Sequence, residues 1–143
     1  LFVTREHVDL YNRYHRFMRE EKGWPRQQTT PESYHAEFLS GAAERGRQWL
    51  YFDRNELVGV ALMDEAPGAI SLVYCFYDPG WRPRSPGTYS ILNQLLYAKA
   101  NNLEYAYLGY WIERCPSMSY KGRFHPREIL REYPAAGQTP VWE

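Results

Sequence analysis

The chain has 143 residues, 44% apolar and 24% charged, with a formal net charge of zero. That balance fits one folded domain with a real core, and it excludes a disordered tail and a protein that grips nucleic acid by bulk charge alone. Aromatics make up 17% of the chain, with 13 Tyr, which suits a site for a flat or polar ligand as readily as a Tyr-rich core. In chain order, "TREHVDLYNRYHRFMREEKGWP" predicts a helix capped by Thr4, with His7 at the third position. Val8, Leu10, Tyr11, Tyr14, Phe17 and Met18 recur at helical spacing, and Gly23 and Pro25 end the run. "TTPESYHAEFLSGAAERG" predicts a second helix, capped by Thr30 with Pro31 at its first position and Tyr34, Phe38 and Leu39 on its apolar face. Gly41 or Gly46 closes it.

The period then changes. Trp49 to Phe52, Leu57 to Met63 and Ile70 to Tyr77 read as three strands joined by turns at Asp53–Asn55 and Ala66–Gly68, an antiparallel meander. "PGWRPRSPG" reads as a loop. "TYSILNQLLYAKANN" follows as a helix whose stripe of Ile91, Leu92, Leu95, Leu96 and Ala98 is expected to be buried. "LEYAYLGYWI" reads as a strand, and "SMSYKGRFHPREIL" as a short helix or turn before a return strand near Ile129. This order predicts a mixed α/β fold, a mostly antiparallel sheet flanked by helices.

Charge is unevenly placed. Residues 1–78 carry 9 basic and 12 acidic groups, and residues 79–143 carry 8 basic and 5 acidic, so the halves stand at −3 and +3. Cys75 and Cys115 match no zinc or redox spacing, so no metal site is expected, and two free thiols point to the cytoplasm. No run is long and apolar enough to span a bilayer, and no membrane partner is expected. The four histidines are scattered with no partner spacing of a triad or a zinc site.

Three places carry candidate chemistry. At "RPRSPGTYSIL" a helix begins behind Arg84, Ser85 and Gly87, and a helix start offers unpaired N–H groups to a phosphate or a developing oxyanion. The strand "SLVYCFYDPGW" places Tyr74, Phe76 and Tyr77 before Asp78, which is either a candidate base at a strand end or a turn former. The stretch "YAYLGYWIERCPSMSYKGRFHP" follows an apolar strand with a segment both aromatic and basic.

These segments carry a resemblance. Phe-Tyr-Asp-Pro, Gly-Thr-Tyr, Tyr-Leu-Gly-Tyr-Trp-Ile and Met-x-Tyr-Lys-x-x-Phe-x-Pro, within a match that runs from about Glu6 through "LYNRYHR" to about Leu130, resemble the C-terminal domain of arginyl-tRNA–protein transferases and bacterial aspartate/glutamate leucyltransferases. The element order likewise resembles the GCN5-related N-acetyltransferases, whose fourth and fifth strands splay apart to seat substrate. The resemblance implies transfer of Leu or Arg from aminoacyl-tRNA to the amino terminus of an acidic (Asp/Glu) protein, which creates an N-degron. The donor ester is already activated, so no cofactor is expected. Relatives carry an N-terminal cysteine-rich region that this sequence lacks, so 1–143 is read as a single transferase domain. Ser85-Pro86-Gly87 also departs from the Ser-Leu-Gly or Ser-Tyr-Gly of many relatives.

On that reading, Tyr74, Tyr110 and Trp111 are candidates to stack on the terminal adenine or to enclose the aminoacyl side chain, and Tyr77 and Tyr120 are further substrate-binding candidates. The backbone at Gly87, Thr88 and Tyr89, beside Ser85, would bind a phosphate or the carbonyl oxygen. Lys121, with Arg84, Arg114 and Arg123, would hold the acceptor stem, or Lys121 would bind the acidic side chain of the acceptor. Asp64 and Asp78 are candidates to hold or deprotonate the incoming ammonium, with Tyr110 as a third candidate catalytic group. The alternatives are an acetyl-CoA-dependent N-acetyltransferase, which the single Gly of the junction loop disfavours, a non-catalytic binding module, and transfer to a small-molecule acceptor.

Overall fold

The computed structural model describes residues 1–41 and 44–143. Ala42 and Ala43, which fall in the second predicted helical stretch, lie outside the described residues. The chain forms two compact units, Leu1–Gly109 and Tyr110–Glu143.

The first unit opens with α1 (Arg5–Lys22), started by a capping box in which the Thr4 side chain and the His7 ring each bond the other's backbone N–H. Gly23, at φ 66°, ends it in the left-handed region. Its predicted stripe is buried except for Phe17, which is half-buried, and His7 and His15 are buried with it. The second helix is α2 (Pro31–Tyr34), which widens into one π turn at His35–Leu39. Strands β1 (Gly46–Asp53), β2 (Glu56–Ala66) and β3 (Ala69–Tyr77) form the predicted antiparallel meander. After a 3₁₀ turn at Pro79–Arg84, where the sequence predicts a plain loop, α3 (Pro86–Ala100) leads to β4 (Tyr105–Tyr107), which pairs parallel to β3. The sheet order is β1-β2-β3-β4.

The two faces of the sheet hold different cores. Leu57, Val60, Leu62 and Phe76 pack with Leu10, Tyr11, Tyr14 and Met18 of α1 and with Tyr34 and Leu39 of the second helical stretch. Met63 and Ile70 pack with Ala98 of α3, flanked by Trp49, Leu72 and Tyr97. β3 therefore sends Ile70 and Leu72 to the α3 face but Tyr74 and Phe76 to the α1 face. A strand with period two cannot do this without an extra residue. The register supplies it: Leu62 pairs with Tyr74 while Met63 pairs with Leu72, so Val73 is bulged out of the ladder.

The predicted stripe of α3 needs correction. Leu92 and Leu96 are 48% and 64% exposed, and the buried positions are Ser90, Ile91, Gln94 and Ala98. Ser90, Gln94 and Ala98 recur every four residues, and the two polar members hydrogen-bond each other, although Gln94 Oε1 is buried without a partner among the described residues. Gln94 Nε2 donates to Ser90 Oγ at 3.0 Å, and Tyr51 from β1 donates to the same oxygen at 3.1 Å. Apolarity alone misses a helix face that is buried through a local polar network.

In the second unit, regular structure is limited to a 3₁₀ turn at Ser119–Arg123 and a single bridge between Leu130 and Trp142. The predicted strand 103–112 is reduced to Tyr105–Tyr107. The predicted return strand near Ile129 is one antiparallel rung, with Ile129 and Glu143 exchanging backbone bonds at 2.7 and 3.1 Å. Pro126, Pro134 and Pro140 carry no N–H, which interrupts any longer ladder here.

Candidate functional site

β4 pairs with Ala69, Ile70 and Ser71 and then ends at Tyr107. From Leu72 to Tyr77 that edge of β3 has no strand partner among the described residues. An open sheet edge exposes backbone N–H and C=O groups, which here lie in the gap left by β4. The bulged Val73, 47% exposed, stands on it.

The chain leaves β3 through Asp78 and the 3₁₀ turn and enters α3 at Ser85. Ser85 sits at φ 53° and makes no side-chain cap bond. Tyr89 N–H already donates to Ser85 O at 3.1 Å, and Pro86 has no N–H. The Gly87 and Thr88 N–H groups therefore begin the helix without a side-chain acceptor, at the positive end of its dipole. Arg84 lies 4.4 Å over the Trp81 ring, and Tyr89 stands exposed with its ring edge-on to Tyr51. Arg84, Ser85, Gly87, Thr88 and Tyr89 are thus gathered at one helix start.

The two candidate carboxylates differ. Asp78 is committed on both oxygens: Oδ1 accepts from Gly80 N–H at 2.8 Å, and Oδ2 meets Arg13 at 3.1 Å. That is the turn-forming role. Asp64 forms no ion pair among the described residues. It lines an open pocket of about 280 Å³ with Glu37, Arg47, Phe38, Leu62 and Val73. Arg47 is turned to Glu65, 3.4 Å away, so it leaves the Asp64 charge available. The sequence reading leaves out Glu37 and Val73. A β3 run apolar at both odd and even positions is the one signal that could have indicated the bulge.

Tyr74 and Tyr77 belong to the α1 core. The Tyr74 ring stacks on Phe38 and on His15, and its hydroxyl hydrogen-bonds His15 Nε2 at 2.8 Å. Burial raises the Tyr74 phenol well above its ordinary value. Tyr77 packs edge-on against Tyr14. Cys75 faces Ser90, and burial pushes its thiol up to about 11, so it stays protonated. Cys115 is half-buried.

In the second unit, Lys121 Nζ donates to Tyr110 O at 3.0 Å, and burial lowers its pKa. Trp111 Nε1 donates to Ser119 O at 3.4 Å, with Arg127 5.3 Å over its ring. A Cβ at Gly122 would come within 3.0 Å of the indole, so glycine allows that contact. The Tyr133 hydroxyl bonds that of Tyr110 at 3.2 Å. Tyr110, Trp111 and Lys121 are brought together here. Tyr120 and Arg123 lie on the same 3₁₀ turn.

Helices on both faces of a meander, with a parallel last strand that parts from its neighbour, give this chain the fold of the GCN5-related N-acetyltransferases. An acetyltransferase of that family from Staphylococcus aureus matches with a TM-score of 0.61 at 16% identity, covering 97% of this chain and 90% of its own. An aminoglycoside acetyltransferase from an uncultured soil sample matches at 0.59 and 12% identity, covering 91% and 88%. Within that fold the sequence is more particular. Residues 6–131 match the family described as arginine-tRNA-protein transferase, C terminus, and the chain belongs to it. The aspartate/glutamate leucyltransferase of Helicobacter hepaticus is 45% identical over 141 residues, which cover 99% of this chain and 58% of that protein. The Campylobacter jejuni protein of the same name is 40% identical over 129 residues, covering 90% and 54%. The chain spans about half the length of the curated relatives it matches.

Proposed function

We propose that this chain carries the aminoacyl-transfer unit of an aminoacyl-tRNA–protein transferase, moving leucine or arginine from its tRNA ester to the N-terminal amine of a protein that begins with Asp or Glu. The product is a protein with a new N-terminal residue that marks it for degradation. The observation that carries this reading is 40–45% identity, across nine-tenths or more of the chain, to proteins named aspartate/glutamate leucyltransferase.

The chemistry asks little beyond placement. The neutral amine attacks the ester carbonyl, a C–N bond forms, the C–O bond to the tRNA ribose breaks, and the released oxygen takes up the proton the amine loses. No ATP is consumed, because the ester is already activated. What the protein supplies is orientation and oxyanion stabilisation, the effects that dominate such transfers. In the first unit, Gly87 and Thr88 N–H are placed to receive a phosphate or the oxyanion. Asp64, without an ion pair among the described residues and lining one pocket with Glu37, would hold the ammonium before it loses its proton. Asp78 is the weaker candidate, since both its oxygens are occupied. In the second unit, exposed Tyr110 with Trp111 offers a stacking surface for a base.

The test is transfer of labelled leucine, and in parallel arginine, from charged tRNA to peptides that begin with Asp, Glu or Ala. We expect label in the acidic peptides, little in the Ala peptide, and at least a tenfold loss in Asp64→Asn. Label transferred from acetyl-CoA but not from charged tRNA would instead establish the N-acetyltransferase reading, which the fold alone favours.

A further inference from the structure

A second pocket, of about 240 Å³, lies on α1 and the segment that follows it. Gly23 turns the chain back at the end of α1, and Trp24 packs on Tyr14 and His15. Asn12 then fastens the returning segment: its Nδ2 donates to Thr29 O at 3.1 Å, and its Oδ1 accepts from Thr29 N–H at 2.8 Å. The wall is therefore held before any ligand arrives.

The lining is cationic. Arg16 and Arg19, three residues apart on one helix face, meet Arg26 from the returning segment, and no carboxylate lines the pocket. Neither the Arg16 nor the Arg19 guanidinium has an acidic partner among the described residues, and Arg26 reaches only the Gln28 amide oxygen, at 3.3 Å. Nearby Glu21 is committed to Arg82 at 3.0 Å. His15 also lines the pocket, 3% exposed, and its Nδ1 is buried with no hydrogen-bond partner. Nε2 is engaged by the Tyr74 hydroxyl, so Nδ1 is the one ring nitrogen left over, a donor or an acceptor according to the tautomer. Three guanidiniums without acidic partners among the described residues, lining one preformed hollow with the His15 ring, describe a site for an oxyanion.

We propose that the Arg16–Arg19–Arg26 pocket clamps the phosphate backbone of an RNA strand. This rests on the transfer reading above, which requires a polyanionic donor. The pocket is open and its arginines are exposed, so it suits a string of solvated phosphates better than one desolvated carboxylate. Guanidinium forks match phosphate oxygens two at a time. The sequence hides this, because these arginines lie in the acid-rich part of the chain, and the first unit carries 12 basic against 13 acidic residues.

The experiment is fluorescence anisotropy of a labelled acceptor-stem RNA hairpin with a single-stranded 3′ end, titrated with the 143-residue chain at several salt concentrations. It compares wild type, Arg16→Ala/Arg19→Ala/Arg26→Ala, and a control with Arg5→Ala and Arg54→Ala. We expect the triple variant to bind at least about tenfold more weakly at low salt. Its log–log salt slope should flatten by about 2–3, close to one per arginine. The control should stay near wild type, and all three should share one melting temperature. Equal affinity and slope in wild type and triple variant would overturn the proposal. So would wild type that fails to bind RNA, or a triple variant that loses only an Asp-initiated peptide while keeping RNA. The transfer assay separates the two claims. RNA binding that depends on the three arginines without any transfer would reject the function and keep the pocket. Transfer with arginine-independent RNA binding would do the reverse.

Discussion

His15 is surrounded by four aromatic rings, Tyr11, Tyr14, Trp24 and Tyr74, and burial lowers its pKa below the ordinary 6.5. His7 is shifted the same way by burial, partly opposed by Glu6. The sign follows from proton counting. Between the depressed folded pKa and 6.5 the unfolded chain binds more protons than the folded one, so stability falls as pH drops through that window. Thermal melts between pH 7.5 and 5 should show a declining midpoint, and His15→Gln should remove part of the decline. A variant that loses stability as steeply as wild type would show that His15 is not a source of it. Neither the burial nor the Tyr74 partner was legible in the sequence, where four histidines with no regular spacing read only as surface or packed residues. The partner lies 59 positions away and depends on which face β3 presents.

At the scale of elements, the bulge at Val73 decides that face. Deleting Val73 should restore strict alternation, which would turn Tyr74 and Phe76 toward α3 or force the rest of β3 out of register. Phe76 is fully buried, and removing a large aromatic from a core costs about 3–5 kcal/mol. The deletion is therefore expected to abolish cooperative unfolding in urea, while Val73→Ala, which keeps the extra residue, should stay near wild type. Comparable loss in both would locate the effect in the valine side chain. α1, the meander and α3 were legible because Thr4, Thr30, Pro31, the two strand turns and Asn101 punctuate strong periodic patterns. The splayed edge was foreshadowed only by family likeness. The bulge left only a weak local signal, a run apolar at both odd and even positions, and nothing in it singles out Val73. The start of α3 was legible as a Pro-Gly helix entry, but the left-handed Ser85 was not.

Across the whole molecule, stability is unevenly shared. The first unit contains both apolar cores, whereas no residue from Tyr110 to Glu143 is fully buried. Amide protection follows buried contact and regular hydrogen bonding. Hydrogen exchange should therefore be fastest in 110–143 and slowest in β2 and α1. Slow exchange throughout 110–143 would show that its turns and single bridge are far more protective than their number suggests. The charge bookkeeping also becomes clearer at this scale. The +3 of the last 65 residues points to Lys121 and Arg123, yet the arginines that lack acidic partners among the described residues include Arg16 and Arg19 in α1. Net charge by segment cannot report which cations are already neutralised.

The displaced valine also bears on how this lineage can be recombined. Where two parental genes share that additional residue, a crossover within β3 is expected to give a folded hybrid only if it is carried along once, neither duplicated nor dropped. A hybrid that miscounts by a single codon would present its aromatic side chains to the wrong layer from there onward, however similar the parents are elsewhere. The strand and its insertion should therefore be inherited as one block.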